Sequence, residues 1–273
     1  MRGFARHAAA LVVAAVFLLP LFVMISGSLR PVGLPPPLGL ELVPAVVTLE
    51  NYGRLAELVP LWTWLGNSAI VVAVAVPVTV LVASWAAFGI RLLARRARHL
   101  AIVTLIALLL VPATALWATR FEVYRALGVL DTLIPLMAPA LAASTPFFVL
   151  IYVWSFTGLP DSQLAAGRLE GASAWQLWRR VVMPQARPAT LAVGVLAFGA
   201  FWSNFIDPLL YVQNQPAYTL PLGLRLLQLL NPTEWPLLAT AIVIATLPAV
   251  AVFLLAHRLF LDDPLATLRR RTR

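Results

Sequence analysis

Six apolar stretches, each about as long as a bilayer's hydrocarbon core requires, constrain this chain more than any other feature. They lie near residues 8–29, 66–90, 100–119, 133–156, 189–206 and 237–257, and a spanning helix needs about 20 mostly apolar residues. Of 273 residues, 61% are hydrophobic and 11% charged, far below the roughly 25% charged residues of a soluble domain. The first stretch has features of a secretory signal: Arg2 and Arg6 precede it, and Ser26, Gly27 and Ser28 are small. Its apolar run extends from Ala8 to Ile25, beyond the 7–15 residues of a signal core, which favours a span. The expected fold class is all-α, a polytopic membrane protein with six transmembrane helices.

All 20 basic residues are arginine, and their placement orients the spans. With a cytoplasmic amino terminus, the inner segments hold Arg2 and Arg6, then Arg91, Arg95, Arg96 and Arg98, then Arg168, Arg179, Arg180 and Arg187, then Arg258, Arg269, Arg270, Arg271 and Arg273. The outer segments hold Arg30, Arg54, Arg120, Arg125 and Arg225. Positive charge is retained on the cytoplasmic side during insertion, so both termini are expected there. The net charge of +9 therefore reads as topology, and no motif points to a nucleic-acid partner.

Several chemistries are excluded. Without lysine there is no P-loop, whose lysine contacts the phosphates, and no Schiff base. Without cysteine there are no disulfides or thiolate metal sites. Apart from His257, the last residue of the sixth, no Asp, Glu, Arg or His falls inside the six stretches, although ionisable residues at membrane depth are the usual mark of ion-coupled transport. The nearest, Asp207, sits at the outer end of the fifth. His7, His99 and His257 flank spans and read as solvated. The chain is thus expected not to be an enzyme, to carry no metal or cofactor, and to draw its energy from a partner.

The outer segments, 30–65, 120–132 and 207–236, are too short to fold alone, so the chain reads as one membrane domain over 1–273. The first is proline-rich and ends in Trp62 and Trp64, which suit the membrane interface. Pro20, Pro77, Pro112, Pro135, Pro139 and Pro146 fall inside spans. Such kinks fit either a bundle bent around a pathway or ordinary helix packing.

Between the fourth and fifth spans lies a polar loop over residues 159–188. Pro160 and Asp161 suit a helix start, the carboxylate accepting an orphan backbone N–H. A short helix through Leu164 and Leu169 then meets Gly171, where a left-handed C-cap belongs. Ser173 and Gln176 have the spacing of a capping box. A second helix puts Trp175, Trp178 and Val182 on one face, as on a bilayer surface, and Pro184 ends it. Small residues at Ala165, Ala166, Gly167, Gly171 and Ala172 leave room for another protein's groove to approach; a generic interfacial loop is the other reading.

This loop resembles the EAA motif of binding-protein-dependent ABC importer permeases, E-A-A, three residues, G, nine residues, I-x-L-P. The register is Ala165-Ala166-Gly167, Gly171 and Val181-Val182-Met183-Pro184, with both gaps of the right length. It departs from the pattern at Ala165 for glutamate, at Gly167 for the second alanine, and at Glu170 for aspartate. The likeness extends over roughly residues 49–230. Asn51-Tyr52, Asn67-Ser68, Val111-Pro112, residues 124–132, residues 201–205, Pro208-Leu209 and residues 218–224 are similar to the second-subunit branch of the maltose-type sugar permeases. The arginine-rich tail after His257 lacks that branch's glycine-rich ending.

The resemblance implies an ABC type I importer permease fold in the inner (plasma) membrane of a bacterium or archaeon. It implies a second homologous permease, an ATPase dimer holding ATP and Mg²⁺, an external solute-binding protein, and a sugar or related solute. The loop residues Ala165, Ala166, Gly167, Glu170, Gly171, Ala172 and Pro184 would couple to the ATPase. A phosphorylated polyol or peptide as solute, or a passive channel or scaffold, remains the alternative. For the substrate pathway the candidates are Phe201, Trp202, Asn204 and Asp207, at or just past the end of the fifth span; helix packing with an interfacial aromatic belt is the other reading.

Overall fold

The computed structural model describes residues 2–37, 39, 42–141 and 146–261. No strand occurs among them. In chain order the helices are α1 (Arg2–Ser28), α2 (Glu50–Leu58), α3 (Leu61–Leu92), α4 (Arg95–Leu109), α5 (Trp117–Ala126), α6 (Ile134–Leu141) and α7 (Pro146–Thr157). Then follow α8 (Asp161–Leu169), α9 (Ala174–Leu177), α10 (Met183–Gln185), α11 (Arg187–Trp202), α12 (Ile206–Tyr211), α13 (Leu220–Leu230) and α14 (Trp235–Leu261). Part of the fourth stretch, 142–145, lies outside the described residues. So do Arg269, Arg270, Arg271 and Arg273, which contribute to the arginine asymmetry.

Among the described residues four helical segments are long and apolar enough to cross a membrane, and up to six if each of two bent pairs is one span. One bent pair joins α4 to residues 113–126 at 86°, and the other joins residues 174–185 to α11 at 84°. The third stretch therefore differs from a straight helix over 100–119. Pro112 has an extended backbone, φ −67° and ψ 131°, and offers no N–H to continue the ladder of α4. The chain restarts as a 3₁₀ turn over Ala113–Leu116 and then α5. The other prolines fall differently. Pro20, Pro77 and Pro139 lie inside α1, α3 and α6, Pro146 opens α7, and Pro135 is the second residue of α6.

Two compact units arise from this order, Met1–Gly66 with Tyr218–Val250, and Asn67–Ala217 with Ala251–Arg273. In the first, α1 exposes apolar side chains all round, Phe17 at 75%, as suits a helix in hydrocarbon. Its last carbonyls need partners, and Asn51 on α2 supplies them. Asn51 Nδ2 donates to Ser28 O at 3.1 Å and to Arg30 O at 2.7 Å. The Ser28 and Tyr52 hydroxyls pair at 3.0 Å, and Arg54 forms an ion pair with Glu234 at 2.8 Å. The Asn51-Tyr52 dipeptide thus holds the end of α1. Trp64, expected at the membrane interface, is instead fully buried; Trp62 is exposed. α13 is amphipathic, burying Leu220, Leu222, Gly223 and Leu227 and exposing Arg225 and Gln228.

The second unit has one extended core. It joins Ala83, Ala87 and Phe88 of α3, Phe148, Tyr152 and Phe156 of α7, and Val193 and Ala197 of α11. Leu164, Leu177, Trp178 and Val182 from the 159–188 loop belong to the same core. The Tyr152 hydroxyl donates to Thr190 Oγ1 at 3.1 Å, which satisfies both groups within an apolar interior.

Candidate functional site

The 159–188 loop is built by local rules that hold and long-range contacts that the local pattern does not announce. Gly171 adopts φ +78°, the left-handed cap that ends α8. The capping box is complete: Ser173 N donates to Gln176 Oε1 at 2.8 Å and Gln176 N to Ser173 Oγ at 3.3 Å. Asp161 does not cap the helix by a side-chain hydrogen bond. Pro160 holds the N-cap position and makes no such bond, while the Asp161 carboxylate turns to Arg91. Arg91 Nη2 donates to Asp161 Oδ1 at 2.7 Å and to Leu159 O at 2.7 Å. A charged donor is a stronger partner than a backbone N–H. This guanidinium is almost fully buried at the end of α3, so it straps the loop to that helix.

The second helix departs from the expected bilayer-surface helix. Trp178 and Val182 are buried, and Trp85 of α3 meets Trp175 and Trp178 edge-on with centroids 5.5 and 5.2 Å away. Its aromatic face packs on protein. Pro184 does not end the helix either. A π turn over Trp178–Val182 precedes it, and the wider turn accommodates a residue that cannot donate to the ladder. The helix continues through α10 and bends at Ala186. Gln185 Nε2 donates to Gln163 Oε1 at 2.8 Å, which ties α10 back to α8.

The small residues divide into two sets. A methyl group at Gly167 would approach Leu177 Cδ2 closer than 3.0 Å, so its size serves α8–α9 packing inside the chain. Ala172 is half-buried against the core. Ala165, Ala166, Glu170, Gly171 and Pro184 are exposed. Beside them stands Leu169 at 90% exposure, a residue the motif spacing does not single out. A recess of about 490 Å³ lies alongside, lined by Trp154, Gly158, Leu159, Gln185, Pro188 and others.

The four pathway candidates cluster around the end of α11, and local structure accounts for much of their bonding. Trp202 stacks on Phe198 at 5.5 Å, and Phe201 packs against the core. Asn204 and Asp207 bond reciprocally, Nδ2 to Oδ2 at 2.9 Å and Asp207 N to Asn204 Oδ1 at 3.2 Å, at the start of α12. Three residues not expected from the sequence join them. Tyr124 and Tyr211 meet edge-on at 5.1 Å, and Arg120 acts electrostatically on both. Burial, with Asp207 nearby, pushes the Tyr211 phenol up to about 12. It stays a neutral donor, reaching Trp117 O at 3.3 Å. Asp131, at φ +61°, fixes the next loop by accepting from Gln213 N and Asn214 N. The half-buried carboxylate, amide and guanidinium suit hydrogen bonding to hydroxyl groups, while both phenols are buried behind them. Among the described residues no group of three or more His, Cys, Asp or Glu is placed to hold a metal.

Comparison with known proteins bears on both sites. Residues 64–262 match the family described as "Binding-protein-dependent transport system inner membrane component". The arabinooligosaccharides transport system permease of Halalkalibacterium halodurans is 25% identical over 91% of this chain and 90% of its own length. The sulfoquinovosyl glycerol transport system permease of Agrobacterium fabrum is 29% identical, over 78% of this chain and 74% of that one. The trehalose/maltose transport system permease of Thermococcus litoralis is 29% identical over 81% of each. Among solved structures, a bacterial ABC transporter involved in import of the acidic polysaccharide alginate matches with a TM-score of 0.77 at 18% identity, over 94% of this chain and 95% of that one. At that identity the match shows a shared fold.

Proposed function

Because the chain belongs to the family of binding-protein-dependent transport system inner membrane components, we propose that it is one permease half of an ATP-driven importer for an oligosaccharide or related glycoside. The solute class is supported by the relatives described above, whose names specify arabinooligosaccharides, sulfoquinovosyl glycerol and trehalose or maltose. The partners of this reading are a second homologous permease, an ATPase dimer carrying ATP and Mg²⁺, and an external solute-binding protein. Both termini and the 159–188 loop lie in the cytoplasm of a bacterium or archaeon, following the arginine asymmetry.

One observation carries the coupling role. Leu169 is 90% exposed on a loop strapped by Arg91 and packed on Trp85. An element fixed in this way, with a projecting apolar side chain, seats in a groove and passes displacement to the helices it is fixed to. Ala165, Ala166, Glu170 and Gly171 border it, Gly167 and Ala172 hold the loop's own packing, and Pro184 marks the π turn. Phe201, Trp202, Asn204 and Asp207, with Arg120, offer the solute hydrogen bonds and an aromatic face, and the buried Tyr124 and Tyr211 support them from behind.

Affinity capture of the full chain from its own cells tests this reading. It should retain an ATPase and a sibling permease, and Leu169→Asp should release the ATPase while keeping the sibling. Capture of neither partner, with solute flux through the chain alone, would sink the proposal.

A further inference from the structure

The turn between α3 and α4 concentrates cationic groups, and they divide by what they hold. Arg91 is committed to Leu159 and Asp161. Arg98 is committed to the end of α3, its Nη2 donating to Arg91 O at 2.9 Å and Leu93 O at 3.2 Å. These bonds close the turn between α3 and α4, beside a recess of about 680 Å³ lined by Arg95, Arg96, Arg98, His99 and Ile102. Arg95, Arg96 and His99 are exposed, and among the described residues no carboxylate pairs with them. The sequence carries no acid between Glu57 and Glu122.

What lies next to the recess selects the ligand. Along α4 the exposed surface changes from cationic to apolar within one turn. Leu100 is 66% exposed, Val103 47% and Ile106 49%, at the three-residue spacing that keeps successive side chains on neighbouring parts of one helix face. A free anion would use only the first part of this surface, and an acidic protein segment would leave its apolar part uncovered. An amphiphile with an anionic head fits both. Basic pockets beside membrane helices bind lipid headgroups in this way.

We propose that the α3–α4 turn is a binding site for an anionic phospholipid, its phosphate held by Arg95, Arg96 and His99 and its acyl chains lying along Leu100, Val103 and Ile106. The site is separate from the coupling loop's exposed tip and from the Asp207 cluster, and it does not depend on the direction or substrate of transport.

The natural absence of cysteine makes the test direct. A fluorophore on Leu100→Cys is placed in phosphatidylcholine vesicles containing headgroup nitroxide lipid, either phosphatidylglycerol or phosphatidylcholine. The anionic probe should quench several-fold more strongly, both for the full chain alone and for the complex with its partners. Equal quenching by the two lipids overturns the proposal. So does shielding from both in the complex, which would mean that a partner protein covers the recess. Excess inorganic phosphate should leave the preference intact; its loss to phosphate alone would make this a simple anion site. Replacing Arg95, Arg96 and His99 together by Gln should bring quenching by the two lipids close to parity, whereas Arg258→Gln should not. Because removing three charges can disturb insertion, Arg95→Lys with Arg96→Lys is the paired control, and it should keep the preference. A preference that survives the triple replacement also overturns the proposal.

Discussion

Gly223 lies against the indole face of Trp64, so close that a methyl group there would come within 3.0 Å of three ring atoms. Trp64 is fully buried and its ring has no route to solvent. α13 therefore seats on α3 through a position that tolerates only hydrogen. Gly223 belongs to the 218–224 segment that resembles the sugar permeases, and this packing is a physical reason for glycine at that point.

Gly223→Ala should destabilise the chain. Overpacking costs about 1–3 kcal/mol, which outweighs the roughly 1 kcal/mol that alanine gains over glycine inside a helix. Thermal unfolding in detergent, followed by tryptophan fluorescence, should show a lower Tm. An equal or higher Tm would mean that the ring yields freely.

Gly171 has nothing within 4 Å of where a Cβ would stand, yet its φ is +78°. Substitution there is limited by backbone strain, about 1–2 kcal/mol for an ordinary L-residue, with Asn the best tolerated. Gly171→Val should loosen the α8–α9 turn and reduce ATPase retained through purification, and Gly171→Asp should add charge to the same defect. Gly171→Asn should retain most of it. A Gly171→Val complex that purifies intact and transports at the parental rate would remove the coupling role from this turn.

The Arg91–Asp161 pair is asymmetric, 7% exposed on one side and 91% on the other. Asp161→Asn removes an exposed partner, and its effect should fall within the small range of surface ion pairs. Arg91→Gln leaves the Leu159 carbonyl without its charged donor and should cost about 1–3 kcal/mol. Faster hydrogen exchange across residues 159–169 in the Arg91 variant but not the Asp161 variant would confirm the order. Equal effects would show that the ion pair, and not the carbonyl bond, holds the strap.

These contacts mark where sequence reasoning reaches and where it stops. The Gly171 cap and the Ser173–Gln176 box were legible because each is specified by three or four consecutive residues. The Arg91 strap and the Trp64–Gly223 seat join distant positions, and no local pattern distinguishes Arg91 from the topogenic arginines. The prolines were visible, yet their consequences were not. Pro112 breaks a helix while Pro20, Pro77 and Pro139 sit within continuous ones, since the outcome depends on neighbours that satisfy the freed carbonyl. At the end of α11, Asn204 and Asp207 stand in the sequence as candidates for the substrate pathway, with helix packing as the other reading; their mutual bond shows a local structural role.

Topology is checked with single cysteines at Ser162 and Ala126, both exposed and on opposite sides by the arginine asymmetry. Ala126 is preferable to its neighbour Gly128, whose φ of +66° would strain any replacement. An impermeant maleimide added to intact cells should label Ala126→Cys and not Ser162→Cys. Labelling of both from outside would defeat the orientation.

The energy source follows from what the spans lack. Apart from His257 at the end of the sixth, no ionisable side chain lies within the apolar stretches to carry a proton or sodium ion, and no lysine is present to build a P-loop. Under the proposed function, work enters through the 159–188 loop from ATP hydrolysed by a partner. Reconstituted in vesicles with both permeases and the ATPase, the chain should accumulate a sugar or glycoside. ATP would be on the face of the loop and the solute-binding protein on the other. An ionophore that collapses proton and sodium gradients should leave uptake nearly unchanged, while Leu169→Asp should abolish it without altering solute capture by the binding protein. Gradient-dependent uptake in the absence of ATP would overturn the mechanism. ATP-dependent uptake of peptides alone would keep the mechanism and remove the sugar.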